Sequence, residues 1–319
     1  MSIEKDKHGK ITKSIEATKI DDGKTLWDLL SLLGVPLSLA ILGYWLQQIQ
    51  QKRTEAETKE QHELAEEENR EEVLQGYFDR LSVLLIDKNL LAIAVKVKHP
   101  ETLGTENQSQ SKVATEDQEL LDSAVDIIRA RTLSILRRFQ NDSARKTSVI
   151  RFLIEADIIS KLRLNLRDAN LERADLSGAN LERANLSGVK LNGANLSGAK
   201  LNDAVLFNTG LERVDLRYAD LRGADLRVSA FWNANLSGAD LRNADLRSAM
   251  LIGTNLSGTN LSGANLGTIN LQYANLSGAI LLGVNLQQAV FVTQEQLKEN
   301  QPPLLYHVAL DERFTDKDL

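Results

Sequence analysis

The chain is 319 residues long with a formal net charge of −6, from 44 acidic and 38 basic side chains, and it has no cysteine. That length allows two domains with ample core, and the mild acidity gives no global signature of a nucleic-acid binder. Without thiols there are no disulfides, no thiol catalysis and no thiolate metal site. The four histidines (His8, His62, His99 and His307) are scattered, with no paired ligand spacing. No metal, cofactor or nucleic-acid partner is expected.

Residues 1–28 read as a polar tail. The run LLSLLGVPLSLAILGYWL, Leu29 to Leu46, carries no charge over 18 residues, at the short end of the roughly 17–25 that cross a bilayer as a helix. Trp27 precedes it and Tyr44 and Trp45 close it, where interfacial aromatic anchors sit. These features predict a single-pass membrane helix over 29–46, in contact with the lipid bilayer. Gly34 and Ser38 form a small-xxx-small spacing through which two such helices could approach as a homo-oligomer. The alternative is a buried or oligomerising helix in a soluble protein. A cleaved leader fits less well, because 28 residues precede the run and no small-residue cleavage site succeeds it. The expected location is a membrane, with residues 161–292 on the cytoplasmic side. The flanking basic residues, four before and three after, do not fix that orientation.

Residues 47–73 are rich in Glu, Gln, Lys and Ala without Pro or Gly, and predict a polar helix continuing from the apolar one. Its apolar residues keep no heptad, so a long coiled coil is not supported. Residues 74–160 predict a small helical domain that serves as an N-terminal cap on residues 161–292. Leu74, Tyr77, Phe78, Leu81, Leu84 and Leu85 show a helical period. Pro100–Thr115 reads as an exposed loop. A second apolar stripe runs through Leu120, Ala124, Ile128, Ile135 and Phe139. The triplet Asn141–Ser143 offers a helix cap before a third run, Val149, Phe152, Leu153 and Ile154. Charge is segregated along this half: 54–72 carries nine acidic and two basic residues, and 129–167 ten basic and three acidic. Two solvated helix faces explain this most simply, with contact to a membrane surface or nucleic acid as the other reading of the basic block.

From Leu166 to Phe291 every fifth residue is Leu, except Phe231 and Phe291, for 26 positions without an insertion or deletion. Two residues before each stands a small or β-branched residue, chiefly Ala, and between the two mostly Asn or Asp. The triplet A-N-L has the in–out–in alternation of a short strand. The next two residues, often Ser-Gly or Arg-Gly, suit a corner. One side plus one corner, repeated, winds into a coil lined by Leu and Ala, a solenoid. The stretch ADLSGANLERANLSGVKLNGANLSGAKLNDA resembles the pentapeptide repeat family, whose pattern is A(D/N)LXX. The resemblance covers 161–292. It implies a right-handed quadrilateral β-helix with four pentapeptides per coil, about 6.5 coils at about 4.8 Å each. The expected fold class is therefore mainly β, a repeat solenoid preceded by one membrane helix and a small helical domain. The front half resembles, more loosely, membrane-anchored members common in cyanobacteria. Residues 293–319 predict a C-terminal cap, with a short helix over Thr293–Asn300 and PPLLYHVAL folding across the end.

Leu and Ala being core, function must lie on outward positions. Residues 20 apart should stack, which places Trp232, Ile252 and Tyr273 on successive coils as a candidate partner-binding patch. Charge is also divided along the rod: Leu166–Arg247 holds eleven charges of each sign, and Ser248–Val292 none. The neutral half suits either docking or stacked Asn ladders. No catalytic residue is expected, since the repeats offer no nucleophile–base set and no phosphate loop. The function expected is a non-enzymatic, membrane-tethered scaffold presenting a rigid surface to a partner protein. Two alternatives stand beside it. One is a membrane-acting stress or defence effector. The other is a DNA-mimicking gyrase inhibitor, implied by the family resemblance, which would require a strongly negative rod.

Overall fold

The computed structural model describes residues 4–5, 11–12, 26–98, 108–286, 288–290, 293, 295–296, 302–306 and 308. The chain divides into two units, Met1–Glu71 and Glu72–Leu319. In the first, β1 (Glu4–Lys5) pairs antiparallel with β2 (Ile11–Thr12). The 62-residue helix α1 (Leu26–Asp87) then begins. Its polar part consists of good helix formers, laced by i,i+4 pairs such as Lys59–Glu63 and Arg70–Glu66.

The membrane helix expected at 29–46 is not upheld. Among the described residues no helix is long and apolar enough to cross a membrane. Helix α1 passes from the apolar run straight into the charged sequence of 52–72. The single-pass localisation and the transmembrane part of the fold class fall with it. Trp27 lies outside the described side chains, and Tyr44 and Trp45 are exposed on α1.

In the second unit the end of α1 joins α2 (Leu90–Lys98), α3 (Gln108–Arg138), α4 (Ser143–Glu155) and α5 (Ile158–Lys161). Residues 108–115, expected in a loop, therefore belong to α3. Leu74, Tyr77, Leu81, Ile128, Phe139, Val149 and Leu153 are buried in one core, and Leu121 rather than Leu120 turns inward. Tyr77 Oη lies 2.8 Å from Thr132 Oγ1, and Thr132 Oγ1 donates to Ile128 O. That satisfies both hydroxyls in an apolar interior. Asp142 caps α4 by accepting from Arg145 N at 3.0 Å.

From 165 onward the backbone coils with a repeat of 20. Bridges such as Asn165↔Asn185, Asn185↔Val205 and Val205↔Asp225 are parallel and keep that spacing to Asn270↔Val290. Leu171 N donates to Lys190 O at 2.8 Å and Lys190 N to Ala169 O at 3.0 Å. The corner closes when Ala174 N donates to Leu171 O at 3.1 Å. Its third residue has φ > 0, as in a type II turn, and this recurs at every fifth residue from Asp168 to Gly283. The Leu column and the Ala column are both buried along the whole rod. Each side contributes a single bridged residue. The expectation of a mainly β protein is corrected for that reason: the longest named strands have three residues, against helices of 62 and 31. The second unit is a β-helix joined to a substantial helical part.

The ends of the rod are covered chemically. On an inner coil the carbonyl of Asn192 accepts from Arg173 N, and Asn195 N donates to Ala174 O, on the coil before. The first coil has no such neighbour, and α3 and α4 replace it. Arg129 Nε donates to Asn165 O (2.9 Å), Lys146 Nζ to Glu172 O (2.7 Å) and Arg151 Nη2 to Ser177 O (3.4 Å). Asp175 N donates to Thr147 Oγ1 (2.9 Å). Part of the basic block of 129–167 is thus committed to orphan carbonyls rather than to solvent. Burial pushes the Lys146 ammonium below the ordinary lysine value, opposed by nearby Glu172 and Asp142. At the other end, Gln296 Nε2 donates to Leu271 O and Ala274 O. Thr293 and Gln296 bond reciprocally, as in a capping box. Strand β4 (Leu304–Tyr306) pairs parallel with β3 (Ile280–Leu282), one rung further on. Residues 297–300 of the expected capping helix lie outside the described residues.

Corner positions also feel the coil before them. A Cβ at Gly253 would sit 2.5 Å from Asn233 Oδ1, whereas one at Gly258 meets nothing within 4 Å, and both have φ near +65°. Gly258→Ala should therefore destabilise by the αL penalty alone, about 1–2 kcal/mol, and Gly253→Ala by more. Equal losses in urea titrations would contradict the stacking of these corners.

Candidate functional site

One outward rule governs most of the rod, with Lys200, Val205 and Ile280 as single exceptions on two of its sides, and one side departs from it at length. Under the rule, the middle residue of a side is Asn or Asp. Its Oδ1 accepts the backbone N–H two residues on, as in Ser197 to Asn195 (3.1 Å), Ser237 to Asn235 (3.1 Å) and Ser262 to Asn260 (3.1 Å). This Asx turn fixes the first corner residue. The Asn residues of the uncharged half serve chiefly in these turns, and a direct rung such as Asn255 Nδ2 to Asn235 Oδ1 (3.3 Å) is an addition.

Where the middle residue is Asp and the corner residue Arg, a fork forms as well. Asp215–Arg217, Asp220–Arg222, Asp225–Arg227, Asp240–Arg242 and Asp245–Arg247 are each joined by two short bonds, such as Arg222 Nε and Nη2 to the Asp220 oxygens at 2.7 and 2.6 Å. Arg222 also reaches Asp240 at 3.8 Å, and Arg227 reaches Asp245 at 3.7 Å, linking successive coils. Hydrogen bonds from these arginines hold all five carboxyls below the usual carboxylate range. The forks also establish a direction: the first corner residue leans back over the side that precedes it.

The departing side has Asn170, Lys190, Gly210, Ala230, Met250, Asn270 and Val290 as its middle column. Over four successive coils, Lys190 to Met250, it lacks both amide and carboxylate, and at Ala230 and Met250 its flanks change in step. Trp232 and Ile252 take the first corner position that Arg holds elsewhere. Val228, at the corner before, has a left-handed φ of 64°, a strained choice for a β-branched residue. Trp232 is 41% exposed and Val228 43%; Ala230, Met250 and Ile252 are half-buried. Val228, Ala230, Trp232, Met250 and Ile252 thus make one uncharged patch.

Of the residues singled out from sequence, Trp232 and Ile252 share a column, since Arg213 N bonds Trp232 O and Asn233 N bonds Ile252 O. Tyr273, 79% exposed, belongs to the neighbouring column of Arg213, Asn233 and Gly253, on the far half of the same corner. Sequence reading missed Val228, Ala230 and Met250. The signal was present as a break in the A(D/N)LXX pattern over Val228–Trp232. Among the described residues no cluster could hold a metal ion. The enclosed space lined by Leu251, Leu256 and Leu271 amounts to about 10 Å³, against roughly 300–1,000 Å³ for a ligand pocket.

A family model described as pentapeptide repeats matches the chain in 8 copies, over residues 165–206, 194–229, 231–267 and 269–292. Among solved structures, a pentapeptide repeat protein from the Arabidopsis thaliana thylakoid lumen is 32% identical over 28% of this chain and 61% of its own, with a TM-score of 0.27. HetL, a pentapeptide repeat protein involved in heterocyst differentiation regulation from the cyanobacterium Nostoc sp. strain PCC 7120, is 36% identical over 46% of this chain and 62% of its own, with a TM-score of 0.23. QnrB1, a plasmid-mediated fluoroquinolone resistance protein, is 22% identical over 46% and 82%, with a TM-score of 0.33. The chain spans less than two thirds of the first two, and superpositions this loose carry no argument about function. No curated protein matches.

The forks make a pH prediction. A carboxyl whose value is depressed on folding adds stability that is complete above its unfolded value, about 3.9, and that is lost as pH falls through the folded value. Melting temperature should therefore fall between about pH 4 and pH 2. A variant with Asp215, Asp220, Asp225, Asp240 and Asp245 all changed to Asn should keep its Asx turns, melt within a few degrees of wild type at pH 7, and lose much of that acid dependence. An unchanged dependence would mean the forks are not the acid-labile element.

Proposed function

We propose, from the premise that residues 165–292 are pentapeptide repeats, that this chain is a non-enzymatic interaction module whose rod presents the Val228–Ile252 side to a partner protein. One observation carries the reading. Where the middle residue is Asn or Asp a side satisfies its own corner, and among the described residues only this side carries apolar groups at both the middle and the first corner position on two successive coils. Exposed Trp with a branched aliphatic neighbour on a rigid scaffold is the composition of an interface hot spot. Rigidity adds to it, because a ladder bonded on every side has little entropy left to lose on binding.

The DNA-mimicking alternative finds no support in the charge pattern. Mimicry requires unpaired anions at high density, and five of the rod's aspartates are forked by arginine.

Changing Trp232 and Ile252 together to Ser should leave the melting transition within about 1 kcal/mol of wild type, as surface substitutions do. The same change should abolish co-purification of the partner from cells that express the chain. Undiminished co-purification with both residues replaced would remove this side from consideration.

A further inference from the structure

The same two coils hold a second departure, in the backbone. Under the Asx rule the first corner N–H is bonded by the middle side chain of its own side. On the patch side Asn170 does this for Glu172 and Asn270 for Gln272, each at 3.0 Å. Glu212 N finds Asn192 Oδ1 on the coil before, at 3.1 Å. Ala230 and Met250 offer no acceptor, and the N–H groups of Trp232 and Ile252 have no partner among the described residues. They point outward, because the Asn side chains that hold their equivalents are outward. Asn192 N, Asn202 N and Phe207 N also lack a partner among the described residues, but each stands singly between bonded corners of its column. Only in the apolar patch are two free donors one coil apart, about 4.8 Å, with satisfied corners on either side.

We infer that these two N–H groups are a recognition element, and that the occupant is an uncharged, apolar turn of a partner protein whose carbonyls accept from Trp232 N and Ile252 N. The inference rests on the proposal that the patch is the interface, and adds the chemistry of the partner. Spacing selects the turn. Carbonyls along one edge of an extended strand recur about 7 Å apart and cannot meet both donors, whereas successive carbonyls of a tight turn lie close enough to do so. Charge selects the rest. The patch carries no ionisable side chain, so a charged segment would lose its hydration without a counter-charge. The arrangement also runs against stability: Asn at 230 and 250 would satisfy both donors, as Asn170 and Asn270 do on the same side. Departures from a local rule with no structural gain mark functional positions.

The test uses the full chain and a phage-displayed library of disulfide-closed peptides, selected on wild type. Ala230→Asn and Met250→Asn are made together, and Trp232→Ser with Ile252→Ser as a separate control. The expected result is that the Asn pair raises the melting temperature while weakening the selected peptides at least tenfold, and that those peptides are uncharged and apolar. An unchanged or lowered melting temperature would show that the donors were not free and would overturn the inference. Peptides that bind the Asn pair as wild type, but fail on the Ser pair, would overturn the donors' role and leave the interface standing. Peptides indifferent to both variants, or a selection that enriches none, would overturn the inference and the interface alike.

Discussion

A left-handed corner every five residues is the constraint on which the rest of the rod depends. It turns a three-residue side through a right angle, so that four sides close a coil and residue i meets residue i+20. Once closed, the coil settles what each sequence position does. Leu and its partner two residues earlier must fill the axis, and the residue between them must face out. The corner itself is expensive for any residue with a Cβ, yet Arg, Asn, Asp, Tyr and Val occupy it as well as Gly. The buried Leu columns and the bonds between coils offset that strain.

Continuity of the ladder creates a difficulty only where it stops. A solenoid leaves unpaired carbonyls and amides at each end, and such edges invite pairing with other chains. Here the first coil meets cations and a hydroxyl from α3 and α4, and the last meets a glutamine amide and a short parallel strand. The first cap uses side chains to imitate the missing coil, and the last combines the Gln296 amide with the backbone of β4. The helical part is therefore not an independent neighbour of the rod: its Arg129, Lys146, Thr147 and Arg151 stand where the backbone of a further coil would.

Much of the rod was legible in the sequence because its period is strict. The Leu register, the inward Ala column and the stacking of residues 20 apart all come from counting. Counting could not say which way a corner side chain leans. That is decided by the forks from Arg217, Arg222 and Arg227 back to their aspartates, and it separates Tyr273 from Trp232 and Ile252. Nor could composition tell that Arg129 and Lys146 cap carbonyls, since a capping lysine and a solvated one look alike in a charge count. The apolar run at 29–46 suggests a span by its lack of charge and its aromatic flanks, yet among the described residues no helix is long and apolar enough to cross a membrane.

The patch over Val228–Ile252 is where the chain leaves its own rule on two successive coils in side chains and backbone together. Residue-resolved amide hydrogen exchange tests that account most directly. Amides of the Leu and middle positions donate between coils and should be strongly protected, with those of Ser197, Ser237 and Gln272 slowed by their Asx bonds. Within this frame Trp232 and Ile252 should exchange fast on successive coils, as should the single first-corner amides of Asn192, Asn202 and Phe207, whose sides also lack an Asn or Asp acceptor. Protection at both equal to that of Gln272 would contradict the account, because the two donors would then be as well bonded as the amide that Asn270 holds.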